Sequence, residues 1–228
     1  MKFFHVFWLL LAFSAPLCAQ NYQYQYPTDP YSASPRPQPN GAYAPPSDSG
    51  YGFDKLLSYS SLEGNYAYND FKNFPGLGNT SGFTAALNLA LFKPLYLHFG
   101  VDWLSGTDEA SNDYSMTGLT AGVGVYIPIV PRFHIFGEVG VRYDVTSGVL
   151  DALHNDDFSV YIRPGIRFAA TDKLELDASV YFATTDNLDD RAFQINGYYN
   201  LFSIVDLNLG IDFGSDVNTY HGGVRLRW

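Results

Sequence analysis

The sequence predicts an all-β fold, a transmembrane antiparallel up-and-down β-barrel of about ten strands, preceded by a signal peptide and a disordered spacer. Three observations lead to this fold class. Apolar and polar residues alternate along segments that are each close to the nine to eleven residues a tilted strand needs to cross a bilayer. After the N-terminal signal, no stretch reaches the 18 or so consecutive apolar residues of a helical span. The chain also ends in a strictly alternating strand whose last residue is Trp228.

The apolar face of this last strand carries Tyr220, Gly222, Val224, Leu226 and Trp228. The opposite face carries His221, Gly223, Arg225 and Arg227. A transmembrane barrel requires this arrangement, with lipid on the apolar face, a polar lumen on the other and aromatic residues at the interface. The strand resembles the C-terminal assembly signal of bacterial outer-membrane β-barrel proteins, which commonly ends in Phe or Trp and is read by the barrel-assembly machinery. The resemblance implies that the five residues of the apolar face form this signal.

Residues 1–19 have the pattern of a secretory signal peptide. A short cationic start is followed by an apolar run from Phe3 to Phe13 and by small residues that predict cleavage after Ala19. A lipoprotein signal ending at Cys18 is the alternative, but Leu17 stands where that signal usually has a small residue. If Cys18 is removed with the signal, the mature chain has no cysteine for a disulfide, a thiol nucleophile or a metal site.

Residues 20–50 have a different composition, with alternating Tyr and Gln followed by closely spaced prolines. Such a segment buries too little apolar surface to offset the entropy of ordering it, so it predicts a disordered or polyproline-like periplasmic spacer. A tether to the cell wall or to a partner is the alternative function for this segment. The barrel is then predicted to occupy residues 51–228.

Composition bears on several other classes of protein. Of the 228 residues, 16% are charged and 17% are aromatic, and the formal net charge is −10. An acidic chain lacks the basic face that nucleic-acid binding needs. A soluble up-and-down barrel, such as a lipocalin, is an alternative fold. Its exposed polar face would carry Lys and Glu, whereas here the polar faces are rich in Gly, Ala, Tyr, Asn and Arg.

The connections between predicted strands alternate in length. Tight connections are expected at 92–94, 128–132, 170–173 and 202–205. Mostly longer, polar connections are expected at 71–81, 105–114, 146–157, 184–191 and 214–219. Outer-membrane barrels have short periplasmic turns and longer external loops, so both termini are predicted to lie in the periplasm. Eight strands is the alternative count, because the first segment and the segment at 194–200 alternate least regularly; Pro164 predicts a bulge or local break inside its strand.

The inward faces of the predicted strands carry many charged residues. These are Glu63, Asp102, Glu138, Arg142, Asp144, Arg163, Arg167, Glu175, Asp177, Asp212, Arg225 and Arg227. Buried charges have to be paired, so the set predicts an ion-pair and tyrosine network that fills the lumen of a small barrel. The alternative is a narrow, porin-like channel whose charged rings select ions or small solutes.

Two further sets of residues are candidate sites. The predicted outer loops are acidic, which fits either a solvated repulsive surface or divalent cations that bridge lipopolysaccharide; the loops lack the ligand spacing of a calcium-binding loop. Asp212 and His221 are expected to face each other near the outer rim, which loosely resembles the Asp–His pair of the omptin proteases. No omptin-like motif surrounds them, and an isolated Asp–His pair is usually structural.

Taken together, the signal peptide, the meander, the short turns and the terminal Trp resemble small bacterial outer-membrane barrels of the OmpA/OmpX/opacity type. The resemblance implies a multi-pass protein of the bacterial outer membrane with an envelope-structural or surface-interaction role. It also implies outer-membrane lipid, lipopolysaccharide, the barrel-assembly machinery and an unidentified surface ligand as partners. We expect no enzymatic activity, no cofactor, no bound metal and no nucleic-acid partner.

Overall fold

The computed structural model describes residues 57–72, 77–148, 157–184 and 191–228. They form one closed antiparallel barrel. Its strands are β1 (Ser61–Phe71), β2 (Leu77–Phe92), β3 (Leu95–Asp108), β4 (Asp113–Val130), β5 (Phe133–Gly148), β6 (Asp157–Ala169), β7 (Leu174–Ala183), β8 (Arg191–Phe202), β9 (Val205–Gly214) and β10 (Val217–Arg227). Within the described ranges, no helix is long and apolar enough to cross a membrane. The signal peptide and spacer predicted over 1–50 lie outside these ranges.

The ten strands form an up-and-down meander. Each strand pairs with its neighbours in the chain, and β1 pairs antiparallel with β10 to close the sheet. This closing ladder is continuous, from Ser61 opposite Arg227 to Phe71 opposite Val217. Closure leaves no unpaired sheet edge, which is the condition for a sheet to span lipid. The prediction of a ten-stranded barrel is confirmed, and the alternative of eight strands is wrong.

The connections divide between the two ends of the barrel. The turn end holds the connections 93–94, 131–132, 170–173 and 203–204, the start of β1 and the end of β10. The loop end holds the connections 72–76, 109–112, 149–156, 184–190 and 215–216. The connections at 109–112 and 215–216 are shorter than predicted, because their hairpins continue into the ranges that the sequence assigned to loops.

The outer face of the barrel is apolar and the inner face is polar. Leu209, on the outer face, is 74% exposed, whereas Glu175, on the inner face, is fully buried. A soluble barrel has the opposite arrangement, because water must face its polar side chains. An outer surface of exposed Leu, Val, Ile and Phe requires lipid, so the soluble alternative is wrong.

The apolar belt has a defined height on each strand. On β3 the outward residues are apolar from Leu95 to Trp103, about nine residues, which is the length a tilted strand needs to cross. Beyond this belt the outward residues become polar, as at Ser105 and Thr107. Ser115 and Ser147 share a hydrogen bond of 2.7 Å between their hydroxyls in the same polar zone. The strands are therefore longer than predicted because polar hairpins continue past the belt at the loop end.

Pro164 lies on the outer face of β6 and causes no bulge. The ladder to β5 runs through it without a shift, opposite Gly137. On the β7 side, pairing stops after Ile162 and resumes at Gly165 in the same register. The missing N–H of proline therefore produces a local break in one ladder, which the sequence predicted, and leaves the register intact.

Candidate functional site in the lumen

The side chains of the candidate site converge because alternate residues of a strand point to the same face. In a closed barrel, every second residue of ten strands enters one narrow space. All the charged residues assigned to the inward faces lie on the lumenal side of their strands in the structure. They separate into a turn-end cluster, a middle cluster and a few residues bound to amides.

The turn-end cluster is centred on Glu175. Arg225 donates to both oxygens of this carboxylate, from Nη1 at 3.0 Å and from Nη2 at 2.6 Å. Arg225 Nε also donates to Asp206 at 2.8 Å, and Arg227 Nε lies 3.1 Å from the same carboxylate. The Arg225 guanidinium packs 3.6 Å from the centre of the Tyr198 ring. These charges are nearly inaccessible to solvent, so each one depends on its partners.

Arg167 connects this cluster to the chain that precedes β1. Its Nε lies 3.2 Å from both Glu175 and Asp177. Its Nη1 donates to the carbonyl of Ser58 at 3.2 Å, and its guanidinium lies 4.5 Å from the centre of the Tyr59 ring. A cation above an aromatic face is electrostatically favourable, so Arg167 fixes Tyr59 at the turn end of the lumen.

Residues 57–60, here called the plug segment, occupy the turn end of the lumen. Tyr59 stacks on Tyr126 with ring centres 4.0 Å apart and lies 5.0 Å from the Tyr96 ring. At the other side of the segment, the Ser58 hydroxyl donates to the carbonyl of Trp228 at 2.9 Å. Sequence reasoning missed this segment because it precedes the first alternating strand and has no periodic pattern of its own.

The middle cluster consists of two groups of paired charges. Glu138 accepts hydrogen bonds from the Tyr161 hydroxyl at 2.7 Å, the Tyr96 hydroxyl at 3.1 Å and Arg163 Nη2 at 2.7 Å. Above it, Arg142 donates to Asp102 at 2.8 Å and to Asp144 at 2.9 Å. The Arg142 and Asp102 side chains are 27% and 17% exposed, so solvent reaches this part of the lumen.

A cavity of about 200 Å³ lies beside the middle cluster. One wall is made of short side chains: Thr84, Ala86, Gly100 and Thr120. The rest of the lining includes the paired charges Glu138, Arg163, Arg142 and Asp102 together with Tyr161, Tyr181 and Gln194. The cavity exists because the short side chains of β2, β3 and β4 leave space that the longer ones opposite do not fill.

The remaining inward acids bind amides. Glu63 accepts hydrogen bonds from Asn65 at 2.9 Å and from Asn208 at 2.5 Å. Asp212 accepts from Gln194 at 3.1 Å.

The expected face-to-face pairing of Asp212 with His221 is not found. Asp212 lies opposite Thr219 and His221 lies opposite Gly210. His221 is instead hydrogen-bonded to Asn196 at 2.8 Å through Nε2. The pairing differs from the expected one because the β9–β10 turn is centred between residues 215 and 216 rather than between 216 and 217, which shifts the partner of His221 by two residues. Among the residues that the structure describes, no three His, Cys, Asp or Glu side chains converge as a metal site requires.

The structure is a closed ten-stranded barrel with a lipid-facing side and a lumenal side, and the sequence matches a family with this architecture. A family model described as the outer membrane protein beta-barrel domain matches residues 53–200. The chain belongs to this family. As an outer-membrane barrel it is a multi-pass protein of the bacterial outer membrane, and the predicted barrel fold, the resemblance to bacterial outer-membrane β-barrel proteins and the outer-membrane location are confirmed.

Solved structures of other outer-membrane barrels resemble this one at low sequence identity. Ail of Yersinia pestis is 13% identical, with a TM-score of 0.37, over 75% of this chain and 100% of Ail. OprG of Pseudomonas aeruginosa is 10% identical, with a TM-score of 0.42, over 74% of this chain and 94% of OprG. An outer membrane channel of Pseudomonas putida F1 is 9% identical, with a TM-score of 0.44, over 75% of this chain and 97% of the channel. No curated protein sequence matches this outer-membrane barrel.

Proposed function

We propose that the protein is a closed, non-conducting outer-membrane barrel with an envelope-structural or surface-interaction role. One observation carries the proposal: Tyr59 of the plug segment is stacked on Tyr126 and lies beneath Arg167, inside the turn end of the lumen. The buried Glu175–Arg225 pair fills the lumen beside it. An ion that crossed this region would have to separate ion pairs that are buried away from solvent. Separating buried charges costs free energy.

In this proposal the loop end faces the outside of the cell and the turn end faces the periplasm. The short turns and the polar extension of the hairpins past the apolar belt support this orientation. The acidic loops then meet the extracellular medium and the lipopolysaccharide. Contacts with a surface ligand are expected at these loops, because the lumen is closed and the belt is covered by lipid.

Planar-bilayer conductance of the full chain, purified in detergent and checked for heat-modifiable gel mobility, tests the closed lumen. We expect no conductance steps from the wild-type barrel. Tyr59→Ala should introduce conductance steps because it removes the stacked ring, and the matched control Tyr66→Ala should stay silent because Tyr66 is exposed on the outer face. Discrete, salt-dependent steps from the wild-type barrel would overturn the proposal.

A narrow channel is the second candidate function, and the cavity beside Arg142 favours it. A channel should change its ion selectivity when Arg142 or Arg167 is neutralised. Catalysis is not part of either function. Asp212 and His221 are each hydrogen-bonded to an amide, which supports a structural role; a hydrolase would lose its activity on His221→Ala while still folding.

The apolar face of β10 and Trp228 is proposed to be the signal for the barrel-assembly machinery. In the folded barrel, the Trp228 N–H donates to the Ser60 carbonyl at 3.2 Å, so Trp228 also stabilises the seam between β1 and β10. Removing Trp228 should lower the yield of membrane-inserted protein. Phe202→Ala is the matched control, since Phe202 is an exposed aromatic residue at the same end. Equal yields from the two variants would contradict the assignment.

A further inference from the structure

The cavity in the middle of the lumen is small and is lined mainly by polar residues. Its volume of about 200 Å³ is below the 300–1,000 Å³ of pockets for drug-sized ligands and corresponds to roughly seven water molecules. The turn end of the lumen is closed by the plug segment, and the residues around Arg142 are partly exposed to solvent. A space with one open side holds a solute rather than passing it through. That the cavity opens on one side only rests on the closed turn end of the proposed function.

The charges that line the cavity are already matched to each other. Among the lining residues, Arg163 is paired with Glu138 and Arg142 with Asp102, whereas Asp144, the second partner of Arg142, is not part of the lining. A charged ligand would have to break one of these pairs or leave its own charge uncompensated, and both are costly in a narrow lumen. The paired charges therefore favour a ligand that is polar but neutral.

Two lining residues have hydrogen-bonding capacity that the described part of the chain does not use. The Tyr181 hydroxyl is buried and has no hydrogen-bond partner among the described residues. Its ring is held by stacking on Tyr161, with ring centres 5.2 Å apart. Arg163 carries five N–H donors, but its one hydrogen bond within the described ranges is the one from Nη2 to Glu138. Buried polar groups are normally satisfied, so these groups call for a partner that can both donate and accept.

The opposite wall supplies further groups of the same kind. Thr84 and Thr120 present hydroxyls, which both donate and accept. His98 is hydrogen-bonded through Nδ1 to the Asn88 carbonyl oxygen at 2.8 Å, which places the proton on Nδ1 and leaves Nε2 as an acceptor. A ligand with several hydroxyl groups can satisfy donors and acceptors on both walls without carrying a charge.

We propose that the mid-lumenal cavity binds a neutral polyhydroxylated solute no larger than a monosaccharide, which enters from the loop end. Tyr181 and Arg163 contact the hydroxyl groups of the ligand, and the small wall at Gly100 provides the space. The two ion pairs hold the polar groups in position and reject charged analogues.

Isothermal titration of the full-chain barrel tests the pocket. The neutral probes are glycerol, myo-inositol and glucose; gluconate is the anionic analogue and glucosamine the cationic one. A zwitterionic detergent is required, because sugar-headed detergents present the same chemistry as the probes. We expect one-to-one, saturable binding of at least one neutral probe, and weaker binding of both charged analogues.

Two lumenal variants and one matched control locate the site. Tyr181→Phe removes a hydroxyl that has no partner in the described chain, so folding should be retained while affinity falls about threefold to tenfold. Gly100→Ala adds a methyl group whose nearest neighbours are 3.4–3.6 Å away, so it fits the fold and takes space from the ligand. Gly137→Ala adds the same methyl group with nothing within 4 Å and should leave the affinity unchanged.

Three results would each overturn the proposal: no saturable binding of any neutral probe, tighter binding of gluconate or glucosamine, or unchanged affinity in either lumenal variant. Conductance separates this proposal from the proposed function. A conducting wild-type barrel contradicts the closed turn end whatever the titration shows. A silent barrel that binds none of the neutral probes contradicts the pocket alone.

Discussion

The turn end and the middle of the lumen are built from the same strands and differ in how they are filled. On β3, Tyr96 packs into the aromatic group around Tyr59, whereas Gly100 lines the cavity. On β4, Tyr126 stacks on Tyr59, whereas Thr120 lines the cavity. Alternation decides that a side chain enters the lumen, but its size decides whether the lumen is closed at that height.

The two regions also differ in charge balance. At the turn end, three carboxylates (Asp177, Glu175 and Asp206) face three guanidiniums (Arg167, Arg225 and Arg227) in a nearly solvent-free space. In the middle, Arg142 has two carboxylate partners and remains partly exposed. Loss of one carboxylate therefore leaves an excess buried cation at the turn end but a matched pair in the middle.

The largest effect is expected for Glu175→Gln. It keeps the shape of the side chain but leaves Arg225 and Arg167 with one carboxylate too few, so the free energy of unfolding should fall by about 3–5 kcal/mol. Asp102→Asn should lower it by about 1 kcal/mol or less, because Arg142 retains Asp144 and solvent screens the site. Urea unfolding in lipid vesicles, followed by gel mobility, measures both.

An exposed ion pair at the turn end provides a control for these two variants. Asp172 pairs with Arg132 at 2.8 Å, and its side chain is 78% exposed. Asp172→Asn should change the free energy of unfolding by less than about 1 kcal/mol. If Glu175→Gln and Asp102→Asn lower the free energy of unfolding equally, the turn end and the middle of the lumen do not differ in charge balance as described.

A smaller effect is expected from filling the two regions with the same methyl group. A Cβ at Gly124 would lie 2.1 Å from the Tyr96 ring, so Gly124→Ala should destabilise the barrel by about 1–3 kcal/mol. Gly100→Ala, where the nearest atom is 3.4 Å away, should be neutral or slightly stabilising. Thermal unfolding of the two variants measures the difference, and a reversed order would contradict the packing described for the two regions.

The smallest effect is expected outside the lumen, in the exposed β3–β4 turn. Asn112 donates to Asp108 from its side chain at 2.8 Å and from its backbone at 2.7 Å, which lowers the pKa of the Asp108 carboxyl below its usual value. Because the folded pKa is lowered, the stabilisation is present above the unfolded pKa and is lost as the pH falls through the folded one.

Asn112→Ala should raise the pKa of Asp108 toward the ordinary value and leave the midpoint of thermal unfolding at neutral pH almost unchanged. A ¹³C NMR titration of the carboxyl carbon measures the shift. If the Asp108 titration is the same in the variant, the side-chain hydrogen bond from Asn112 is not a cause of the lowered pKa.

The fold could be predicted because the alternation of apolar and polar residues is visible within each strand on its own. A period of two needs no knowledge of distant residues, so the inward position of Glu138 or Arg225 can be read from its own strand. Charge pairing cannot be read in this way. Arg142 of β5 contacts Asp102 of β3, although β4 lies between these two strands. The contact depends on side-chain length and on strand register, and neither follows from the spacing of the two residues in the sequence.

The errors have the same physical origin. The expected pairing of Asp212 with His221 assumed a turn centred between residues 216 and 217, and the observed turn at 215–216 places His221 opposite Gly210. The plug segment was missed because Tyr59 acts as a single side chain whose partners, Tyr126 and Arg167, belong to distant strands. An irregular segment has no alternating pattern, so its position depends on contacts with distant residues. The sequence alone does not identify those residues.

The contact between the plug segment and the last residue has a kinetic consequence. Ser58 and Trp228 are 170 positions apart, and bringing such distant residues together is a slow step in folding. Until β10 has reached β1, the plug segment has no partner for this contact and the seam stays incomplete. An unpaired β1 edge would then recruit other chains. Pairing of β1 with β10 therefore does two things at once: it completes the sheet and it removes the edge on which chains could associate.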